Sequence, residues 1–312
     1  MKILITPRGF ANYGQPELKK LQNVGFEVDY NDTGQAYAPE VFLAKAQNAA
    51  AIIVGVDLID RTVIDACPDL QVICKFGVGT DNIDVEYCRE KGILVERTLG
   101  TNTAAVAEHV MALMFAAAKN IVSTANEVKG GGWQKPTGQE LACKTLGIIG
   151  FGAIGKQLAD LAHGMKMTVL VNDMLPLHKE LLNAHHCHQA SFEQVLQQAD
   201  YLSLHLPLTT STQHLIGATE LKQMKKTACL INTARGGIVD EAALYQALTN
   251  QEIRAACFDV FSSEPPQKNE PLLKLNNFLL TPHTAARTAE SEKRTCTKAT
   301  EIIIKQLERN LK

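Results

Sequence analysis

Three polar residues stand where an apolar run gives way to a turn: Arg235 after CLIN, Glu264 after CFDV and His283 after FLLTP. Together they could handle a 2-oxo acid. A guanidinium is a planar fork that can hold a carboxylate and polarise the carbonyl beside it. An imidazole exchanges its proton near neutral pH, so it can protonate that carbonyl oxygen in one direction and recover the proton in the other. A carboxylate on the second ring nitrogen fixes the ring and favours its protonated form. Chemistry alone leaves ordinary roles open as well: His283 as a helix cap or surface histidine, Arg235 as a solvated loop cation. His109 competes for the acid/base role, but it lies mid-helix beside Glu108 and reads better as a packed or interdomain hydrogen-bonding group.

Residues so far apart in sequence converge only if they share the carboxyl ends of parallel strands, where open α/β sheets bind their ligands. The stretch that organises such a sheet is TLGIIGFGAIG at 145–155. Its aliphatic run predicts a buried strand, and Gly150, Gly152 and Gly155 open the amphipathic segment that follows. Gly150 permits a tight turn, Gly152 lets backbone approach a pyrophosphate, and Gly155 lets helix and strand pack closely. The helix N-terminus then faces the diphosphate. A second apolar strand, 166–171, ends at Asn172 and Asp173, close to the spacing of about 20 residues expected for a ribose-binding carboxylate. Such a carboxylate accepts ribose hydroxyls and repels a 2′-phosphate, which favours NAD over NADP. His205, in HLPLT, follows another strand, and Pro207 beside it would shape the loop over the nicotinamide ribose.

Strand-like and helix-like segments alternate along the rest of the chain, the pattern of parallel sheets with helices on both faces. The first unit has no glycine-rich turn after its first strand and so is a second domain. In it, Gly77, Val78, Gly79, Thr80 and Asp81 follow a strand ending at Cys74 and Lys75. Such a loop can turn its amides toward an anion, with Lys75 adding charge, or consist of ordinary turn glycines. A long helix is expected over 101–120, buried between domains, then a loop at 129–138 carrying Trp133. The expected fold is α/β, a Rossmann cofactor domain inserted into a discontinuous flavodoxin-like α/β substrate domain. Residues 1–99 would begin the substrate domain, 100–285 form the NAD-binding domain, and 286–312 be a helix returning to the first. The active site is expected in the cleft between them.

A length of 312 residues with 46% hydrophobic residues supports two cores. The formal charge of −2 gives no general attraction to nucleic acid. Neither a signal peptide nor a 20-residue apolar span stands in the sequence, so no membrane attachment is expected. Eight cysteines at non-ligand spacing read as buried free thiols in a reducing cytoplasm. No metal is expected: His185, His186, Cys187 and His188 are adjacent, cannot all face one ion, and read as a solvated connection.

Several motifs then occur in order: KFGVGTDNID at 75–84, NTAAVAEH at 102–109, GIIGFGAIG at 147–155, HLPLT at 205–209, NTARGGIVDEAAL at 232–244, DVFSSEP at 259–265 and TPHTA at 281–285. In these the chain resembles the NAD-dependent D-isomer-specific 2-hydroxyacid dehydrogenases, and within them the short phosphoglycerate-dehydrogenase-like and glyoxylate- or hydroxypyruvate-reductase-like members. The resemblance implies catalytic roles for Arg235, Glu264 and His283, with Lys75, Arg235 and the Val78 and Gly79 amides on the substrate. It implies pyrophosphate contacts at Ala153 and Ile154, and groups near the nicotinamide half at Thr212, Thr233, Ala234, Arg235, Asp259, His283 and Ala285. The carboxamide would take the backbone oxygen of Thr233 and the Asp259 side chain. It further implies a homodimer through the cofactor domains and a small 2-oxo or 2-hydroxy acid as partner. Lys75 replaces a common arginine, and Gly55 an arginine that longer phosphoglycerate dehydrogenases place near a substrate phosphate. Phosphohydroxypyruvate, hydroxypyruvate and glyoxylate all stay open. So do a NAD-responsive corepressor-like protein and a phosphite or formate dehydrogenase of the same architecture.

Overall fold

The computed structural model describes residues 1–309, so 310–312 of the expected C-terminal segment lie outside the described residues. The chain divides into unit 1, Met1–Asn102 with Arg287–Lys312, and unit 2, Thr103–Ala286.

Unit 1 runs β1 (Lys2–Ile5), α1 (Arg8–Tyr13), α2 (Gln15–Asn23), β2 (Glu27–Tyr30), α3 (Pro39–Ala46), β3 (Ala51–Val54), α4 (Arg61–Asp65), β4 (Val72–Lys75), α5 (Val85–Glu90) and β5 (Leu94–Arg97). Every pairing is parallel, in the order β2-β1-β3-β4-β5. That is the flavodoxin-like order. Central β3 reads AIIV and is wholly buried, without alternation, because helices cover both faces. Asp60 and Asp84 start α4 and α5 by accepting the N–H groups of Val63 and Tyr87. The C-terminal helix, Ala289–Arg309, spaces Cys296, Ala299, Ile303 and Leu307 along one stripe and buries them against Ile3, Ile5, Phe10 and Ile53. Thr101 belongs to this unit for a local reason. Its carbonyl accepts from Ser291 Oγ and Arg294 Nε, and its hydroxyl accepts from Thr295.

Unit 2 runs α6 (Thr103–Ala118), α7 (Ile121–Lys129), β6 (Thr145–Ile149), α8 (Ala153–Gly164), β7 (Thr168–Asn172), α9 (Lys179–Ala184), β8 (His188–Gln189), α10 (Phe192–Gln198), β9 (Tyr201–Leu204), α11 (Ala218–Gln223), β10 (Cys229–Asn232), α12 (Glu241–Thr249), β11 (Ala255–Phe258) and β12 (Phe278–Leu280). The sheet is parallel in the order β12-β11-β10-β9-β6-β7-β8. Strand order reverses between β6 and β9, the crevice where doubly wound sheets take dinucleotides. Both α/β units are therefore present, with the Rossmann sheet inserted in the chain of the flavodoxin-like one.

Three local expectations change. The helix expected over 101–120 stops at Ala118, because Asn120 turns left-handed at φ 54° and α7 leaves at 61° to α6. Val110, Leu113 and Met114 of α6 pack with Leu146, Ile148 and Leu158, so its apolar side joins the core of unit 2. The stretch 185–188 is more than a solvated connection: Cys187 is buried, His188 opens β8, and His186 stacks on His163 with ring centroids 3.9 Å apart. Among the described residues no group of three His, Cys, Asp or Glu is placed to hold a metal, and no single helix is long and apolar enough to cross a membrane.

Candidate active site

The turn between β6 and α8 has the geometry its glycines suggest. Gly150 sits at φ 93°, and a side chain there would collide with the carbonyl of His205 at the end of β9. A side chain at Gly155 would strike the Gly150 carbonyl, so strand and helix owe their close approach to this residue. Around Gly152 there is open space. Gly152 also leaves the start of α8 without a side-chain cap, whereas Ser191 begins α10 with a full capping box. The first N–H groups of α8, at Ala153 and Ile154, thus lack the partner that a Ser or Asp would supply.

Asp173 follows β7 and reaches back to that turn: Oδ2 accepts the Phe151 N–H at 2.7 Å and Oδ1 the Leu175 N–H at 2.9 Å. His205 bonds the Ser203 hydroxyl at 2.9 Å, and burial pushes its pKa down to about 4, leaving it neutral. Pro207 offers its carbonyl to the Thr212 hydroxyl at 2.6 Å, which closes the loop after β9 on itself. The Thr233 hydroxyl is buried with no hydrogen-bond partner, a cost normally met by a ligand or neighbour. An uncapped helix N-terminus, a carboxylate at the next strand end and an orphaned hydroxyl at the end of β10 together fit a dinucleotide.

Three loops at the carboxyl ends of β10, β11 and β12 bring together the residues singled out first. Asn232, fully buried, shapes the first loop: its Oδ1 accepts the Ala234 N–H and its Nδ2 donates to the Arg235 carbonyl. Arg235 donates to the Ala234 carbonyl at 2.6 Å. In the second loop the Phe261 N–H donates to Glu264 Oε1 at 3.0 Å, leaving Oε2 for His283 Nδ1 at 2.7 Å. The bond to Glu264 raises the His283 pKa from its ordinary 6.5, against desolvation. Burial would raise the Glu264 carboxyl, but His283 and the Phe261 amide outweigh it and bring it below its ordinary value. The Arg235 charge acts on both groups, lowering each. Since Nδ1 is taken, Nε2 is the ring nitrogen left for chemistry.

Asp259 and Ala285 bond to each other: the Ala285 N–H donates to Asp259 Oδ2 at 2.8 Å. His109 Nε2 and the Thr281 hydroxyl, both in unit 2, are hydrogen-bonded at 3.0 Å. Neither role was legible in the sequence, since nothing about a helical histidine or an Asp at a strand end names its partner.

In unit 1 the Val78 and Gly79 N–H groups have no hydrogen-bond partner among the described residues. Lys75 Nζ donates to the Gly55 carbonyl and to Asn82 Oδ1, each at 2.5 Å, and so ties the loops after β3 and β4 together.

Residues 111–285 match the family model described as the NAD binding domain of D-isomer specific 2-hydroxyacid dehydrogenases. A glyoxylate reductase of Aeropyrum pernix is 38% identical over 299 residues, 93% of this chain and 89% of that protein. A D-3-phosphoglycerate dehydrogenase of Methanocaldococcus jannaschii is 39% identical over 311 residues, 98% of this chain but 57% of that relative. Among solved structures, D-lactate dehydrogenase from Aquifex aeolicus complexed with NAD and lactic acid superposes with a TM-score of 0.84 at 29% identity, covering 99% of this chain and 96% of that one.

Proposed function

The chain belongs to the D-isomer specific 2-hydroxyacid dehydrogenases, and from that premise we propose an NAD-dependent reductase of a small, unphosphorylated 2-oxo acid, glyoxylate or hydroxypyruvate first. The family interconverts 2-oxo and D-2-hydroxy acids with a nicotinamide dinucleotide. The observation that carries the reading is the His283–Glu264 bond at 2.7 Å within reach of the Arg235 charge.

When bound, the dinucleotide supplies or takes the hydride at C2. The α8 N-terminus, through Ala153 and Ile154, is read as holding its diphosphate, and Asp173 its adenosine ribose, which selects NAD. Thr212, Thr233, Ala234, Asp259 and Ala285 are read as lining its nicotinamide half. Arg235 grips the carboxylate and polarises the carbonyl. The Val78 and Gly79 amides are read as further donors to that carboxylate. His283 gives the Nε2 proton to the C2 oxygen in reduction and takes it back in oxidation, while Glu264 stabilises the charged ring between the two events.

The preference for an unphosphorylated acid rests on unit 1. Gly55 carries no cation, and Lys75 is engaged by Gly55 and Asn82. A homodimer is supported by α7, which buries no residue and exposes Ile121, Val122 and Val128, and by the exposed Trp133 in the loop that follows it. Eight free thiols, seven of them buried, agree with a reducing cytoplasm.

The deciding experiment follows oxidation of NADH and of NADPH with glyoxylate, hydroxypyruvate, phosphohydroxypyruvate, pyruvate and branched 2-oxo acids. Turnover of the two small acids with NADH, lost in His283→Ala, is expected. Binding of NADH without turnover of any acid would sink the enzymatic reading, and turnover confined to phosphohydroxypyruvate would overturn the substrate.

A further inference from the structure

His283 adopts a left-handed backbone at φ 51°, a conformation uncommon for residues other than glycine. Such a conformation persists only where its surroundings over-determine it. Here one residue does most of that. The Asp259 carbonyl accepts the His283 N–H at 2.8 Å, Oδ1 accepts the Thr284 N–H at 2.9 Å, and Oδ2 accepts the Ala285 N–H at 2.8 Å. Three consecutive amides of the segment therefore hang on Asp259. A carboxylate with 1% exposure holds them only if its own orientation is fixed.

What fixes it comes from the core. The Thr281 hydroxyl donates its single proton to Asp259 Oδ1 at 2.5 Å, so its oxygen is left to accept from His109 Nε2 at 3.0 Å. His109 Nε2 also lies 3.5 Å from Asp259 Oδ1. The imidazole is borne by a 16-residue helix whose Ala107, Val110, Met111 and Met114 are buried in the unit 2 core. It is therefore mounted on an element packed into that core.

We propose that His109 is a positioning residue for His283: through the Thr281 hydroxyl it orients the Asp259 carboxylate that keeps residues 283–285 in their strained path. The acid/base histidine is thus held from two sides, with Glu264 on its ring and the His109–Thr281–Asp259 chain on its backbone. Only the kinetic arm of the test rests on the proposed function.

The test compares His109→Ala, His109→Gln, Thr281→Val, Thr281→Ser and the double variant His109→Ala/Thr281→Val. The first readout is amide hydrogen exchange at Thr284 and Ala285 in the chain without added ligand. The second is kcat, KM and the pH profile of glyoxylate reduction. Loss of one buried hydrogen bond is expected to speed exchange about tenfold and lower kcat about tenfold in His109→Ala and Thr281→Val. KM for NADH should rise in parallel, because the same Asp259 carboxylate is read as facing the nicotinamide half, so the exchange readout carries the positioning role. His109→Gln keeps an N–H donor and Thr281→Ser keeps the hydroxyl, so both should recover most of the loss. The double variant should be no worse than Thr281→Val, since the two residues act in series. Unchanged exchange in His109→Ala, equal defects in the Ala and Gln variants, or multiplying defects in the double variant would overturn the proposal. So would disappearance of the high-pH fall of reduction in His109→Gln, which would make His109 itself the proton carrier. If the native chain reduces no 2-oxo acid, the proposed function falls while the exchange arm still decides this inference.

Discussion

The backbone of Gly236 runs so close to Phe261 that any side chain at position 236 would collide with the Phe261 carbonyl and the Ser262 amide nitrogen. This contact fixes the loop bearing Arg235 against the loop bearing Glu264. Ser262 is held in turn by Glu241 of α12, whose Oε1 accepts its N–H at 2.8 Å. The relative placement of guanidinium and carboxylate is thus set by backbone contact.

Gly236→Ala should then be disproportionately damaging for the addition of one methyl group. The collision is with backbone, so the loops must separate, and a displacement of about 1 Å costs on the order of a hundredfold in rate. Steady-state kcat/KM alongside thermal unfolding checks this. A rate within about threefold of native would mean the loops need not touch.

The pH dependence follows from the His283–Glu264 bond. Its folded pKa lies above 6.5, so reduction, which needs the protonated ring, should hold at low pH and fall as pH rises through that raised value. Oxidation needs the neutral ring and should rise over the same interval. Glu264→Gln removes the carboxylate, so the limb should move down toward 6.5 and reduction at pH 7.5 should fall. For stability, the His283 share is complete below 6.5 and lost as pH rises through its raised value; the Glu264 share is complete above 4.5 and lost as pH falls through its lowered one. With side chains 51% and 40% exposed, that contribution is small beside the kinetic effect.

Asp173→Ser should raise KM for NADH about tenfold, by removing a charged acceptor, and narrow the preference over NADPH by removing the repulsion of a 2′-phosphate. The ratio of kcat/KM for the two cofactors is the measurement. A ratio equal to native would remove Asp173 as the selecting group.

Lys75→Met separates two roles for one ammonium. If it holds the loops after β3 and β4 through Gly55 and Asn82, its loss should raise KM for glyoxylate, hydroxypyruvate and phosphohydroxypyruvate by similar factors. A loss confined to the phosphorylated acid would instead make it a phosphate ligand.

The exposed face of α7 predicts that the double variant Val122→Asp/Val128→Asp sediments as a monomer where the native chain sediments as a dimer. Equal sedimentation of the two would place any dimer contact elsewhere.

Much of this was decided by sequence because it is local. Glycines at 150, 152 and 155 after an aliphatic run admit few conformations, and alternating apolar segments of the right lengths build parallel sheets with strand ends on one edge. That alone named Gly150, Asp173, Arg235, Glu264 and His283 as residues to watch. Tertiary structure decided how they are held, because those partners are distant in sequence and chosen by packing. No spacing rule pairs His109 with Thr281, 172 residues away, or turns Lys75 toward Gly55 and Asn82. Nor does periodicity reveal that His283 is left-handed, since a non-glycine residue is held there only by the bonds that surround it.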